Sequence, residues 1–186
     1  MATADGPAIS RAQAKAALWN SAGARVHAVI DGATVPGLPA RLAAADSAGW
    51  DCLKRGALSA EVAERAAYIV ELSAEGVFTD WLLGEGTETF PGWGILMVSS
   101  QGLLAMREHC RGLMDVLTVS GERRSWRWYD PEVMQTLLPK LLPSQLDELF
   151  EANQSMVLVN SKAWTWYALE QGLLASQVRR LMIGAG

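Results

Sequence analysis

Few residues in this sequence have the types and spacing that covalent chemistry needs. His27 and His109 are its two histidines, and neither lies in a local sequence typical of a catalytic triad. Ser99 and Ser100 follow an apolar run, as a nucleophile does at a sharp strand–helix turn, but the flanking glycines that permit such a turn are missing. Ser99 or Ser100 is better explained as the N-cap of the helix that follows. The sequence therefore predicts no catalytic residue.

Motifs for metals and cofactors are missing as well. Histidines, cysteines and carboxylates do not recur at metal-ligand spacing. Cys52 and Cys110 are far apart and lie in apolar segments, so we predict buried, reduced thiols rather than a disulfide. The glycines between residues 84 and 94 lack the GxGxxG spacing and a phosphate-binding lysine, and they lead into a strand. We expect a flexible loop there, no metal and no cofactor.

Composition and charge narrow the class of protein. The 186 residues are 50% hydrophobic and 19% charged, which is ordinary for a globular protein with one core or two small lobes. The net charge of −4 and the lack of a long basic run argue against binding to nucleic acid or an anionic membrane. No apolar run reaches the roughly 18 residues of a membrane span, and residues 1–10 lack a signal-peptide pattern. We expect a cytoplasmic protein.

The hydrophobic pattern predicts an α/β (α+β) fold, with a small mixed sheet of about five strands flanked by helices and a smaller C-terminal lobe. Residues 9–19 and 101–113 have apolar positions at helical spacing, whereas 25–30 and 67–72 are β-rich. The continuous apolar run at 95–98 is typical of a strand buried on both faces. We therefore place that strand at the centre of the sheet.

The prolines near residue 143 predict a division of the chain. Residues 1–142 form the N-terminal lobe, with a disordered tail at 1–7, and residues 143–186 form the C-terminal lobe. Residues 156–159 and 163–169 predict a hairpin in the C-terminal lobe.

Two interpretations of the chain after this hairpin are open. The preferred one places a helix at 173–182. The rival interpretation is one long helix over 162–183, which would replace the second arm of the hairpin.

An aromatic segment at 123–129 is the organising motif of the sequence. Its alternating aromatic residues predict a strand, paired with 116–119 across a glycine-containing turn. On such a strand Trp126 and Trp128 share one face. Trp164 and Trp166 would likewise share a face of the C-terminal hairpin. The chain has eight tryptophans, more than a small core needs, so one of these faces is a candidate interface.

The aromatic segment ends in a helix start. Asp130 is suited to cap the helix, and Pro131 supplies the fixed φ of its first position. We expect Arg127 and Tyr129 on the opposite strand face to the tryptophans.

These pieces together resemble the type VI secretion effector chaperones, also called type VI adaptor proteins, a family first catalogued as a domain of unknown function. The matching blocks are Val29-Ile30-Asp31-Gly32-Ala33, residues 67–72, Trp81-Leu82-Leu83, Gly92-Trp93-Gly94-Ile95, the helix with Leu104, Arg107, His109, Arg111 and Leu113, and, most strongly, Trp126-Arg127-Trp128-Tyr129-Asp130-Pro131. The resemblance covers roughly residues 25–142. Glu132 departs from the arginine usual in the family, and Ala67 from a proline.

The resemblance implies a non-catalytic adaptor that binds one cognate effector in the producing cell and helps load it onto the spike protein VgrG. The family-motif residues, expected to be structural, are Trp93, Arg127, Tyr129, Asp130 and Pro131. The candidate effector contacts are aromatic residues of the two predicted hairpins: Trp126, Trp128, Trp164, Trp166 and Tyr167.

Two other classes of function are retained as alternatives. One is an enzyme whose site is assembled between the lobes, for instance from Asp130, His109 and Glu85. The other is a structural subunit of the secretion apparatus, which would self-assemble instead of binding one effector.

Overall fold

A computed structural model describes residues 3–5, 7–117 and 120–182 of the chain, without the side chains of 3–5 and 117. Ten strands are assigned in these residues, and eight of them form one sheet. The strands are β1 (Thr3–Asp5), β2 (Arg25–Asp31), β3 (Gly49–Cys52), β4 (Ala67–Leu72), β5 (Gly94–Ser99), β6 (Asp115–Leu117), β7 (Arg123–Ser125), β8 (Ser155–Val159), β9 (Ala163–Glu170) and β10 (Leu173–Arg180). The mixed α/β class is confirmed, with a larger sheet than predicted.

The order of the main sheet is β1-β10-β9-β8-β5-β2-β4-β3. Neighbouring strands are antiparallel, apart from β1, which runs parallel to β10. Strand β5 lies inside the sheet, between β2 and β8, as its continuous apolar sequence predicts. A separate two-stranded sheet consists of β6 and β7.

Helices cover both faces of the sheet. They are α1 (Arg11–Leu18), α2 (Leu38–Ala43), α3 (Ala60–Arg65), α4 (Val77–Trp81), α5 (Thr87–Thr89), α6 (Leu103–Gly112), α7 (Pro131–Leu137) and α8 (Pro143–Phe150), with a π-helical turn at Leu82–Gly86 and a 3₁₀ turn at Leu138–Lys140. The loop predicted at 84–94 is thus partly helical.

Alternation along the strands builds two core layers. In β5, Leu96 and Val98 face a layer that contains buried residues of α1, α2 and α4. Ile95 and Met97 face the opposite layer, with α6, α7 and α8. Because side chains alternate across a strand, the apolar run at 95–98 fills both layers at once.

The C-terminal prediction is right in its first half and wrong in its second. The hairpin forms, since β8 pairs with β9 from Met156–Tyr167 to Val159–Trp164. Residues 173–180 are the strand β10, not the predicted helix, and the long helix over 162–183 is wrong as well. The reason is pairing, since β10 lies antiparallel to β9 along its whole length.

The predicted strand at 123–129 is shorter than expected. Strand β7 ends at Ser125, and the chain then turns, with the Asp130 N–H donating to the Arg127 carbonyl at 3.0 Å. Trp126 and Trp128 therefore do not share a strand face. Of the predicted partner strand, residues 118 and 119 lie outside the described residues.

The ends of the chain also bear on the predicted organisation. Residues 3–5 form β1, whereas disorder was predicted for 1–7; Met1, Ala2 and Gly6 lie outside the described residues.

Strand β8, from the predicted C-terminal lobe, pairs with β5 of the N-terminal lobe. Both parts of the chain therefore share one sheet. The division into lobes at 1–142 and 143–186 stays a prediction.

Candidate functional site

Asp31 lies at the centre of a group of residues from the matching sequence blocks, which we call the motif cluster: Asp31, Trp93, Arg127, Tyr129, Asp130 and Pro131. It ends β2 and is only 2% exposed. Its carboxylate accepts hydrogen bonds from the Ala33 N–H (3.1 Å) and the Thr34 hydroxyl (2.9 Å). These bonds close the turn after the strand, as an aspartate does in a side-chain-stabilised turn.

The glycine after Asp31 is required by close packing. The Gly32 N–H donates to the Ala66 carbonyl at 2.9 Å. A Cβ at this position would lie 2.5 Å from the carbonyl oxygens of Ala66 and Glu64, which is inside van der Waals contact. The Asp-Gly pair in the sequence therefore reflects one tightly packed turn.

Arg127 joins the aromatic segment to this turn. Its guanidinium forms an ion pair with the Asp31 carboxylate and lies 3.9 Å from the Asp130 carboxylate. Tyr129 is buried beside them, and burial, followed by the charge of Asp31, raises its pKa, with Arg127 acting in the opposite direction. The cluster thus satisfies a carboxylate that would otherwise be buried with only turn hydrogen bonds.

Asp130 has the predicted capping role. Its carboxylate accepts from the backbone N–H groups of Glu132 (3.0 Å) and Val133 (3.4 Å), and Pro131 occupies the first turn of α7. Trp93 is buried, and its backbone carbonyl accepts from the Asp31 N–H at 2.8 Å. The structure therefore brings the five predicted family-motif residues together around Asp31. Their contacts join the end of β2 to the aromatic segment and to the start of α7.

The five predicted effector contacts fall into two groups. Trp128, Trp164 and Tyr167 are 0%, 0% and 4% exposed, so they belong to the core and lie out of reach of a partner. This corrects the prediction for those three. Their side chains fill the two core layers because helices cover both faces of the sheet.

Trp126 and Trp166 are half-buried and have an edge at the surface. The Trp126 indole N–H donates to the Leu113 carbonyl at 2.6 Å, which fixes the ring against the end of α6. The Trp166 ring lies 4.3 Å below the Arg179 guanidinium, in a cation–π contact. These two remain candidates for a partner surface.

A groove of about 830 Å³ lies beside Trp166, and we call it the C-terminal groove. One wall is formed by Leu138, Pro139, Leu141 and Leu146, and the other by Trp166, Ala168, Glu170 and residues 173–177. Glu170 is the charged member among the described residues that line it. Leu173, at the groove, is 74% exposed. Sequence reasoning missed this site because it predicted a helix at 173–182.

A second unpredicted feature is a buried polar cluster under the start of α6. Glu71 accepts from the Arg25 guanidinium (2.7 Å) and the Leu103 N–H (3.0 Å). His27 is fully buried, and its Nε2 lies 3.4 Å from Glu71 Oε2, within ion-pair range but without hydrogen-bond geometry. Burial lowers the His27 pKa, against the raising effect of Glu71. A glutamate within the apolar strand 67–72 is the signal that could have indicated this cluster.

The residues suggested for an assembled active site have separate surroundings. Nε2 of His109 is 3.2 Å from the Leu149 carbonyl, Asp130 caps α7, and Glu85 is exposed on the π-helical turn. Within the described part of the chain, no hydrogen bond or ion pair joins any two of them. Nowhere in the described ranges do three or more His, Cys, Asp or Glu side chains lie together in positions that could hold a metal ion.

Comparison with known proteins places this architecture in a family. Residues 26–148, about two thirds of the chain, match the family described as a domain of unknown function (DUF4123), and the chain belongs to that family. The matched segment holds the whole motif cluster and ends within α8, so β8, β9 and β10 lie beyond it. No curated protein and no solved structure matches the chain. None of the helices in the described ranges has the length and apolar character needed to cross a membrane.

Proposed function

We propose that this chain is a cytoplasmic, non-catalytic chaperone and adaptor that binds a cognate type VI secretion effector, keeps it soluble and helps load it onto the VgrG spike. Membership of the domain family over residues 26–148 supports the proposal. The resemblance of the aromatic-Arg-aromatic-Tyr-Asp-Pro block to the effector chaperones supports it further.

The C-terminal groove is the observation that carries the proposal. It is lined mainly by apolar side chains, and the large apolar residues Leu173 and Leu142, at or next to it, are 74% and 63% exposed. Large apolar side chains in contact with water beside a concave surface are typical of a binding site for an apolar segment. An extended or helical segment of an effector fits such a groove.

The groove lies partly outside the segment that matches the family, which suggests different roles for the two parts of the chain. The motif cluster lies within residues 26–148 and stabilises the shared fold, whereas the β9 and β10 wall of the groove lies outside that segment. We assign recognition of the individual effector to this outer part of the sheet.

Co-expression with the proteins encoded beside this chain tests the proposal. We expect one large neighbour to co-purify with the chain in a defined complex on a sizing column and to lose solubility when the chain is omitted. Leu173→Glu should weaken that complex, because it places a charge at the groove. Val77→Glu is the matched control, since Val77 is 76% exposed and does not line the groove.

Two results would contradict the proposal. In the first, the chain purifies alone and the solubility of every neighbour is unchanged. In the second, Leu173→Glu and Val77→Glu have equal effects on the complex, which would remove the groove as its site.

A further inference from the structure

The outer edge of β10 is only partly covered. On its inner side β10 pairs with β9 over all eight residues, from Leu173 to Arg180. On its outer side the described residues place β1, paired at Ser176–Val178, and Ile9, which bridges to Leu181 at the end of the strand. An exposed strand edge presents backbone N–H and C=O groups that can pair with another chain.

The covering strand is short and weakly built. Strand β1 is the three-residue segment Thr3–Asp5, and alanine and aspartate are both disfavoured in strands. It pairs in the parallel sense, which is slightly less stable per residue than antiparallel pairing. The chain is anchored after it, because the Ile9 N–H donates to the Arg180 carbonyl and the Ile9 carbonyl accepts from the Met182 N–H, both at 2.9 Å.

The covered edge and the C-terminal groove share residues. Ser176 and Gln177 line the groove and are also the β10 partners of Thr3 and Ala4. Leu173, Leu174 and Ala175 line the groove directly before the covered residues. The Ser176 hydroxyl is buried and has no hydrogen-bond partner among the described residues. A chain added to this edge would therefore lie along the groove.

We propose that the β10 edge is a strand-acceptor site for an extended segment of the effector, and that β1 holds this site in the uncomplexed chain. The incoming segment runs parallel to β10 along residues 173–178, in the place and direction of β1, and its apolar side chains at alternate positions enter the groove. Strand addition of this kind gives affinity through backbone hydrogen bonds and specificity through alternate side chains. The inference rests on the proposed function, of which it gives the binding mode.

Two variants of the full-length chain test the exchange. In the first, Ala4→Cys is combined with Gln177→Cys, because these two are direct partners across the parallel pair, and oxidation locks β1 in place. In the second, residues 1–6 are deleted and Ile9 with its anchor is kept. The control for the first is each single cysteine variant under the same oxidant, since Cys52 and Cys110 are free thiols.

Binding of the co-purified neighbour to each variant is the readout, with amide hydrogen exchange of the uncomplexed chain beside it. We expect the oxidised lock to weaken binding at least tenfold, reduction to restore it, and the deletion to strengthen binding roughly three- to tenfold, because a competing state is removed. The deletion should also speed exchange at residues 176–178 in the uncomplexed chain.

The outcomes separate the two proposals. Equal binding by the lock, the deletion and the wild-type chain overturns the strand exchange and leaves the chaperone function standing. Unchanged exchange at residues 176–178 after the deletion also overturns it, since β1 then protects nothing. A neighbour that binds none of the chains overturns the proposed function, and the exchange with it.

Discussion

Arg127 pairs with Asp31 across 96 positions of the chain, and the carboxylate is the deeper partner of the two. The Asp31 side chain is 3% exposed, whereas the Arg127 side chain is 53% exposed. The pair therefore connects the end of a central strand to a surface arginine of the aromatic segment. The strongest block of the family resemblance thus includes a residue with a structural contact to the end of β2.

Loss of Arg127 should destabilise the fold through the charge that it leaves behind. Arg127→Ala leaves the buried Asp31 carboxylate with its turn hydrogen bonds alone, and we expect the free energy of unfolding to fall by about 1–2 kcal/mol. Urea denaturation measures it. Arg124→Ala is the control, because Arg124 and its partner Glu122 are 69% and 60% exposed, and it should change stability by about 0.5 kcal/mol or less. Equal effects of the two substitutions would contradict the structural role of the pair.

Gly94 should tolerate no side chain. Its φ is +152°, and a Cβ would lie 1.9 Å from the Val29 carbonyl oxygen, so β5 would have to separate from β2. We expect Gly94→Ala to cost about 3 kcal/mol or more. Gly112→Ala, at the end of α6 with no atom within 4 Å of its Cβ, should be neutral or stabilise by up to about 1 kcal/mol. Thermal unfolding of both variants decides this, and a folded Gly94→Ala variant of wild-type stability would contradict the strand register.

Stability should fall with pH below the ordinary histidine pKa. Burial lowers the pKa of His27 and of His109 from 6.5, so the unfolded chain takes up protons that the folded chain does not. The stabilisation by the two neutral histidines is therefore fully present above pH 6.5. The free energy of unfolding decreases as the pH falls from there through the lowered pKa values. Urea midpoints at pH 7.5, 6.5 and 5.5 measure it.

The carboxylate Asp46 affects stability over a lower pH range than the two histidines do. The pKa of Asp46 is lowered by hydrogen bonds from the backbone N–H groups of Phe78 and Val77, so its contribution is lost only below the ordinary value of 3.8. His109→Gln should flatten part of the change between pH 7.5 and 5.5, and a wild-type midpoint that is constant over that range would contradict the burial of both histidines.

Two tryptophans of one strand should differ in the kind of defect that they cause. Trp164→Ala removes a fully buried side chain and should cost about 3–5 kcal/mol of stability. Trp166→Ala should cost less, since its ring is half-buried, but should weaken binding of the proposed effector roughly tenfold because Trp166 is one of the residues that line the C-terminal groove. Denaturation and binding assays on both variants test this. A Trp166→Ala chain that binds the effector with wild-type affinity would contradict the groove as its site.

Local patterns in the sequence were sufficient for much of the sheet and for one helix start. Residues 25–30, 67–72 and 95–98 are strands as predicted, because β-rich or continuously apolar runs bounded by turn residues have few other stable conformations. Asp130 caps α7 for the same local reason, since the cap needs only an acceptor three positions before a free N–H.

Contacts between distant segments decided the rest. Residues 173–180 have no strong β pattern and were predicted as a helix, but pairing with β9 overrides local propensity. Tertiary packing also makes Trp164 fully buried and Trp166 half-buried, because no local signal in the sequence indicates which of the two rings the core covers. The partner of Arg127 lies 96 residues away, and the groove exists only where β10 meets the segment 138–146. The sequence by itself determined which segments form strands and where α7 begins, because those choices depend on near neighbours; burial, pairing and the groove depend on neighbours that folding alone brings together.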